Sequence, residues 1–129
     1  MAGFSANYTQ ITCDFADETV VAWMTPARFG TLTGNVRLNK YLNLNAQLVY
    51  RGNWSRSKND PREDPGDYAI VNTTLIGKDF INELKGLEVR ASVLNLFNKD
   101  YTSPTGPGEL PYDYPMPGIN FFVELRYTF

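Results

Sequence analysis

The 129-residue chain has a length usual for a single domain, and its net charge of −2 argues against nucleic-acid binding because no basic excess can neutralise phosphates. Eight Phe, eight Tyr and two Trp argue against a disordered chain. The sequence lacks an unbroken apolar run of about 18 residues, which excludes a membrane-spanning helix but not the alternating strands of a membrane barrel.

The first half of the chain predicts three β-strands. Phe4 to Thr12 is rich in β-prone side chains but alternates poorly, and the apolar stretch Thr19 to Met24 is placed in the loop that follows. Thr31 to Leu38 and Leu42 to Arg51 alternate apolar and polar side chains with a period of two, which a helix cannot satisfy. Asn39 to Tyr41 between them predicts a short hairpin loop.

The second half predicts three more strands with the same alternation. They are Tyr68 to Ile76, Leu87 to Val93 and the last ten residues, Asn120 to Phe129. The connections over 13–30, 52–67 and 98–119 are long and contain many turn-forming residues, whereas the connection over 77–86 is intermediate in length. We therefore predict an all-β fold, an antiparallel meander of six strands.

The connection lengths favour one class of meander. An antiparallel meander places the long loops at one end and the short turns at the other, which is the asymmetry of outer-membrane barrels. Tyr50, Tyr127 and Phe129 lie at strand ends, where the aromatic girdles of such barrels lie. Periodicity alone leaves a second reading open, because the apolar faces could also pack on a second sheet in a soluble β-sandwich or a lipocalin-like module that binds a small ligand.

A family resemblance favours the membrane reading. The strand from Leu87 runs into an element that resembles the penultimate strand of TonB-dependent outer-membrane receptors. That element consists of Asn95, Leu96, Phe97, Asn98, Lys99 and Tyr101. A Pro-Gly-x-Asn-Phe element over 117–121 and a last strand that ends in phenylalanine complete the resemblance, although arginine is usual in the family where this chain has Ile119. The resemblance covers 31–129 well and 1–30 loosely.

The resemblance implies a partial transmembrane barrel. The receptors are barrels of about 22 strands with an N-terminal plug, and they import siderophores, cobalamin or other scarce nutrients with energy that TonB transmits. This chain resembles their last six strands. We expect residues 1–129 to be the C-terminal barrel segment, without a plug domain or signal peptide, in the outer membrane of a Gram-negative-type cell. Its partners would be outer-membrane lipid, the remaining barrel and plug, and the TonB system through the parent protein.

The end of the chain carries a second feature of the family. Aromatic and apolar residues at every second position resemble the signal by which the barrel assembly machinery recognises its precursors. These residues are Phe121, Val123, Leu125, Tyr127 and Phe129. A strand that happens to end in an aromatic residue is the alternative reading.

Two long loops contain candidate ligand-contacting residues. Arginine and aromatic side chains suit the recognition of anionic or catecholate siderophores, although they also occur in loop packing and interfacial girdles. The candidates are Arg51, Trp54 and Arg56 near the end of one strand, and Tyr101, Tyr112, Asp113 and Tyr114 in the last long loop. The acidic residues Asp60, Glu63, Asp64 and Asp67 could hold calcium, but basic residues interrupt them in no calcium-loop order, so we expect a solvated loop.

Enzyme chemistry is not expected. The chain has no histidine and a single cysteine, Cys13, which excludes Ser-His and Cys-His catalysis, imidazole metal ligation and a thiolate zinc cluster. We expect no catalytic residue, metal or cofactor, and we interpret Glu88 with Arg90 and Glu124 with Arg126 as ion pairs of a barrel lumen. A gene remnant without a transport role is a further alternative.

Overall fold

The computed structural model describes residues 2–10, 25–56, 60–106, 108 and 110–129, and their architecture is all-β. Six strands form one antiparallel sheet whose order follows the chain, so the predicted six-stranded meander is confirmed. These strands are β1 (Ala2–Gln10), β2 (Arg28–Arg37), β3 (Leu42–Gly52), β4 (Tyr68–Lys78), β5 (Leu87–Leu94) and β8 (Asn120–Tyr127). Between β5 and β8, the two-residue strands β6 (Thr102–Ser103) and β7 (Tyr114–Pro115) pair with each other.

The strand bounds differ from the predicted ones mainly at β2. This strand begins at Arg28 rather than Thr31, because Arg28 pairs with Gln10 on one side and with Gly52 on the other. The β6–β7 hairpin was not predicted, since strands of two residues have no periodicity to detect. Cys13 and the stretch Thr19 to Met24 lie outside the described residues.

One face of the sheet is apolar across all six strands. Leu44 stands opposite Val36 and Leu75, and Leu48 stands opposite Leu32 and Val71, so the apolar rows of neighbouring strands coincide. Yet no hydrophobic side chain is buried among the described residues, and Leu125 on β8 is 70% exposed. The described residues contain no second sheet that covers this apolar face, so they do not form the two-sheet sandwich of the alternative reading.

The loops are distributed between the two ends of the sheet as predicted. Residues 38–41 and 79–86 connect strands at one end, which we call the short-turn end. Residues 53–67 and 95–119 connect strands at the opposite, long-loop end, and the pairing of Gln10 with Arg28 places the β1–β2 connection there as well. In the part of the chain that is described, no helix is long and apolar enough to cross a membrane.

The sheet is open at both edges. Among the described residues, β1 pairs only with β2, and β8 pairs only with β5. The six strands therefore do not form a closed barrel by themselves.

Candidate functional site

The family element after β5 forms a tight turn around one asparagine. Asn95 has a positive φ of 52°, a conformation that asparagine tolerates better than most residues, and it is only 3% exposed. Its Oδ1 accepts a hydrogen bond from the Lys99 amide at 2.8 Å, and its Nδ2 donates to the carbonyls of Lys99 and Pro117 at 2.8 and 3.3 Å. The Asn95 amide donates to Asn72 Oδ1 on β4 at 3.0 Å. Asn95 thus links the ends of β4 and β5 to the segment that leads into β8.

Asn98 makes the second link to the last strand. It also has a positive φ, 50°, and its Oδ1 accepts the amide of Ile119 at 2.9 Å. A side chain at Gly118 would collide with Asn98 Oδ1, which explains why the Pro-Gly-x-Asn element has glycine at that position. The element over 95–101 is therefore a structural turn that fixes where β8 begins.

Four charged side chains join the two long loops, and we call them the loop cluster: Arg56, Asp60, Arg62 and Asp113. Arg56 pairs with Asp113 across the loops and with Asp60 at 3.5 Å in its own loop. Arg62 pairs with Asp60 at 2.5 Å and donates to Thr105 Oγ1 at 2.8 Å and to the Leu110 carbonyl at 3.1 Å. Thr105 is 2% exposed, so the hydroxyl that Arg62 binds is buried.

The electrostatics of the loop cluster hold its carboxylates in the charged form. The hydrogen bond from Arg62 lowers the pKa of Asp60 well below its usual range and raises the pKa of Arg62. Burial alone would raise the pKa of Asp113, but hydrogen bonds from Arg56 and from the Thr105 amide outweigh it, and the pKa is lowered. The cluster is therefore a set of persistent ion pairs between the loops.

Glu63, Asp64 and Asp67 of the 53–67 loop are exposed, as expected for a solvated loop, whereas the Asp60 side chain is buried in the loop cluster. The Asp60 side chain is only 3% exposed, and Asp64 Oδ1 accepts the Arg56 amide at 2.8 Å. Asp67 accepts the Asn53 amide and the Tyr50 hydroxyl, both at 2.8 Å, and these bonds lower the pKa of Asp67. Only Glu63 among these acids is exposed without a recorded side-chain contact. Among the described residues, no acidic or cysteine group has the arrangement of a metal site.

An aromatic stack lies beside the loop cluster at the long-loop end. The rings of Trp54 and Tyr68 stack with centroids 6.5 Å apart, and the Tyr101 ring lies 4.6 Å from that of Tyr68. Tyr68 and Tyr101 line a cleft of about 480 Å³, and we call it the Tyr101 cleft. The Trp54 Nε1 is buried and has no hydrogen-bond partner among the described residues.

The predicted ligand-contacting residues differ in their surroundings. Arg56 has a side chain only 8% exposed in the loop cluster, and Arg51 lies over the Phe29 ring at 5.3 Å and donates to the Tyr50 carbonyl. Tyr112 and Tyr114, in contrast, are 59% and 56% exposed. Both arginines thus have protein partners, whereas the two tyrosines face outward.

The polar face of the sheet carries one of the two predicted ion pairs. Arg90 Nε donates to Glu88 Oε1 at 2.6 Å, which confirms the first pair. Glu124 stands opposite Arg90, and Arg126 stands opposite Glu88 on the neighbouring strand, so the charges alternate in sign between β5 and β8. The polar face therefore carries balanced charge near the β8 edge.

The predicted assembly residues lie on the last strand and its end. Phe121, Val123, Leu125 and Tyr127 share the apolar face of β8 and are more than half exposed, and the rings of Tyr127 and Phe129 pack edge to face at 5.7 Å. Their recognition by an assembly machinery stays a prediction.

Several residues of the site were missed from the sequence. Tyr68 was predicted only as part of a strand, and Arg62 and Thr105 only as parts of two separate loops, whereas Asp113 was a candidate for ligand contact and not for an ion pair with Arg56. The available signal is charge complementarity, because Asp113 lies in one loop and Arg56 and Arg62 lie in the other.

Comparisons with known proteins add no relative. No protein-family model, no curated protein and no solved structure matches this chain.

Proposed function

We propose that this chain forms the C-terminal wall of a TonB-dependent outer-membrane receptor, a transporter that imports a scarce nutrient. The observation that carries the proposal is the apolar face: it runs unbroken across six strands and no hydrophobic side chain is buried among the described residues. A face of this kind is stable when hydrocarbon covers it. The opposite face carries Asn, Gln, Thr and paired charges, which suits a wet lumen.

The open edges support the view that the wall is incomplete by itself. Each unpaired amide of a strand edge costs several kcal/mol in hydrocarbon, and the smallest usual barrels have about eight strands. The edges of β1 and β8 therefore require further strands of the same barrel. The chain would supply wall, outer loops and the assembly signal, and it would be inactive as a transporter without the rest.

Cell fractionation tests the proposal. An antibody raised against the chain is used to probe the soluble, inner-membrane and outer-membrane fractions of its own cells, followed by alkaline carbonate extraction. We expect the antigen in the outer-membrane fraction, resistant to carbonate, on a polypeptide much larger than the 14.6 kDa of this chain. An antigen in the soluble fraction would contradict membrane placement, and a membrane antigen of only 14.6 kDa would support the remnant reading instead.

A further inference from the structure

The Tyr101 cleft has the size of a small-ligand site and a lining of both aromatic and polar residues. Its volume of about 480 Å³ lies within the range of ligand pockets, about 300–1,000 Å³. Tyr68, Tyr101, Pro115 and Met116 contribute its aromatic and apolar lining. Because Tyr68 contacts both Trp54 and Tyr101, the aromatic stack reaches the cleft through Tyr68 and Tyr101, which both line it.

The charges around the Tyr101 cleft disfavour an anion. Asp67 and Asp100 line it, and Lys99 is its single basic residue. Asp67 stays ionised, since the Asn53 amide and the Tyr50 hydroxyl hydrogen-bond its carboxylate and lower its pKa. An anionic ligand would therefore meet two carboxylates and one ammonium group.

The arginines that could offset this charge have other partners. Arg62 donates to Asp60 and to Thr105, and Arg56 pairs with Asp113, so neither guanidinium is among the residues that line the cleft. An anion would have to break these ion pairs before it could reach either guanidinium. The positive charges of Arg56 and Arg62 are thus neutralised by Asp60 and Asp113.

We propose that the Tyr101 cleft binds an uncharged ligand that stacks a ring on Tyr101, with the chemistry of a sugar ring rather than of an anionic siderophore. Aromatic side chains bind flat apolar ring faces, and Asp67, Asp100 and Lys99 offer hydrogen-bond partners for hydroxyl groups. This inference rests on the proposed function, because it names the class of nutrient that the receptor would capture.

Calorimetric titration tests the ligand class. The protein is tagged at its natural locus, purified from whichever cell fraction contains it, and kept in an amine-oxide detergent, since detergents with sugar headgroups would compete. The probes are maltotriose and cellotriose as neutral saccharides and 2,3-dihydroxybenzoate as an anionic catecholate. We expect at least one saccharide to bind and the catecholate not to bind.

Two variants and one control make the test specific. Tyr101→Ala should weaken saccharide binding about tenfold, the order of one lost ring contact, and Tyr41→Ala at the short-turn end should leave it within about twofold. Asp100→Asn should preserve saccharide binding, and this binding would show that the cleft of the variant is still folded. Because the substitution removes one negative charge, it should also allow weak catecholate binding. Circular dichroism checks the strand content of each variant.

The outcomes separate the ligand class from the location of the protein. Catecholate binding to the unsubstituted protein, failure of both saccharides to bind, or saccharide binding unaffected by Tyr101→Ala would overturn the inference. If the protein binds a saccharide but is found in the soluble fraction, the proposed ligand class stands and the proposed receptor function is wrong. If the protein is found in the outer membrane but binds only the catecholate, the receptor function stands and the ligand class is wrong.

Discussion

At the residue scale, two asparagines determine where the last strand begins. Asn95 and Asn98 have φ values of 52° and 50°, so each places its side chain in a turn that most residues would strain to form. Their amide groups then hydrogen-bond the backbone at Lys99, Pro117 and Ile119. The resemblance to the receptor family at these positions thus has a structural explanation that does not depend on a ligand.

We predict that Asn95→Ala destabilises the protein by about 3 kcal/mol, since buried backbone groups lose their partners and alanine is strained at positive φ. Asn95→Gly should cost about 1 kcal/mol less, because glycine adopts positive φ freely. Hydrogen exchange of the Lys99 amide, which donates to Asn95, measures the effect. Asn82→Ala, at an exposed position of the 79–86 turn, is the control and should change nothing. Equal protection of Lys99 in all three variants would contradict the assigned role.

At the scale of elements, the two long loops behave as one unit through the loop cluster. Arg56 and Arg62 belong to the 53–67 loop, and Thr105 and Asp113 to the 95–119 loop, so the contacts Arg56–Asp113 and Arg62–Thr105 span 57 and 43 positions of sequence. Partly buried ion pairs with several hydrogen bonds are less screened than exposed pairs. The position of the β6–β7 hairpin therefore depends on the neighbouring loop.

The loop cluster should be stable to mild acid. The pKa values of Asp60 and Asp113 are lowered in the folded protein, so their contribution to stability is complete above about pH 4, the usual value for aspartate. This contribution is lost as the pH falls below that value through the lowered pKa values. We expect exchange of the Thr105 amide, which donates to Asp113, to be unchanged from pH 7 to pH 5 after correction for intrinsic rates.

Removing the charge of Asp113 should open the loop contact without acid. Asp113→Asn is expected to reduce the free energy of local opening at Thr105 by about 1–2 kcal/mol, because Arg56 keeps Asp60 but loses the charged partner that lies in the other loop. Glu63→Gln is the matched control, since Glu63 contributes only its backbone carbonyl to Arg56. If Asp113→Asn and Glu63→Gln gave the same exchange rates, the ion pair would not be what joins the loops.

At the scale of the whole molecule, the sheet has one apolar face and one polar face. Leu48 and Gln47 are neighbours at the centre of β3, yet Leu48 lies in the apolar row with Leu32 and Val71, and Gln47 lies in the polar row with Thr33 and Asn72. The proposed function assigns the first row to lipid and the second to the lumen.

A charge placed on each face tests that assignment. Leu48→Arg should reduce the amount of protein in the outer-membrane fraction at least tenfold, since arginine on the lipid face of a barrel costs about 2–4 kcal/mol near the bilayer centre. Gln47→Arg, one residue away on the polar face, should leave the amount within about twofold. Both variants are introduced at the natural locus and quantified by immunoblot. Equal amounts of the two variants would show that lipid does not cover the apolar face.

The alternation of side chains predicted five of the six strands of the main sheet, and β-prone residues predicted β1. A period of two over Leu42 to Arg51 and over the last ten residues is incompatible with a helix. Because the apolar rows of neighbouring strands must coincide, the order and antiparallel direction of the six strands could be predicted as well. The division of loops between the two ends followed from the same topology. Strand ends were less accurate, as at Arg28, because pairing with neighbours extends a strand beyond its periodic part.

The site required the tertiary structure. Nothing in the sequence pairs Arg56 with Asp113 across 57 positions, or brings Tyr101 against Tyr68, because these contacts depend on how two irregular loops fold over the same end of the sheet. Of the two arginines predicted to contact an anionic ligand, Arg56 is bound by Asp60 and Asp113, and Arg51 lies over Phe29 and donates to the Tyr50 carbonyl. Periodicity is a local property that can be read from the sequence, whereas contacts between loops form only when distant segments meet in the fold. These contacts determine which side chains are available to a ligand.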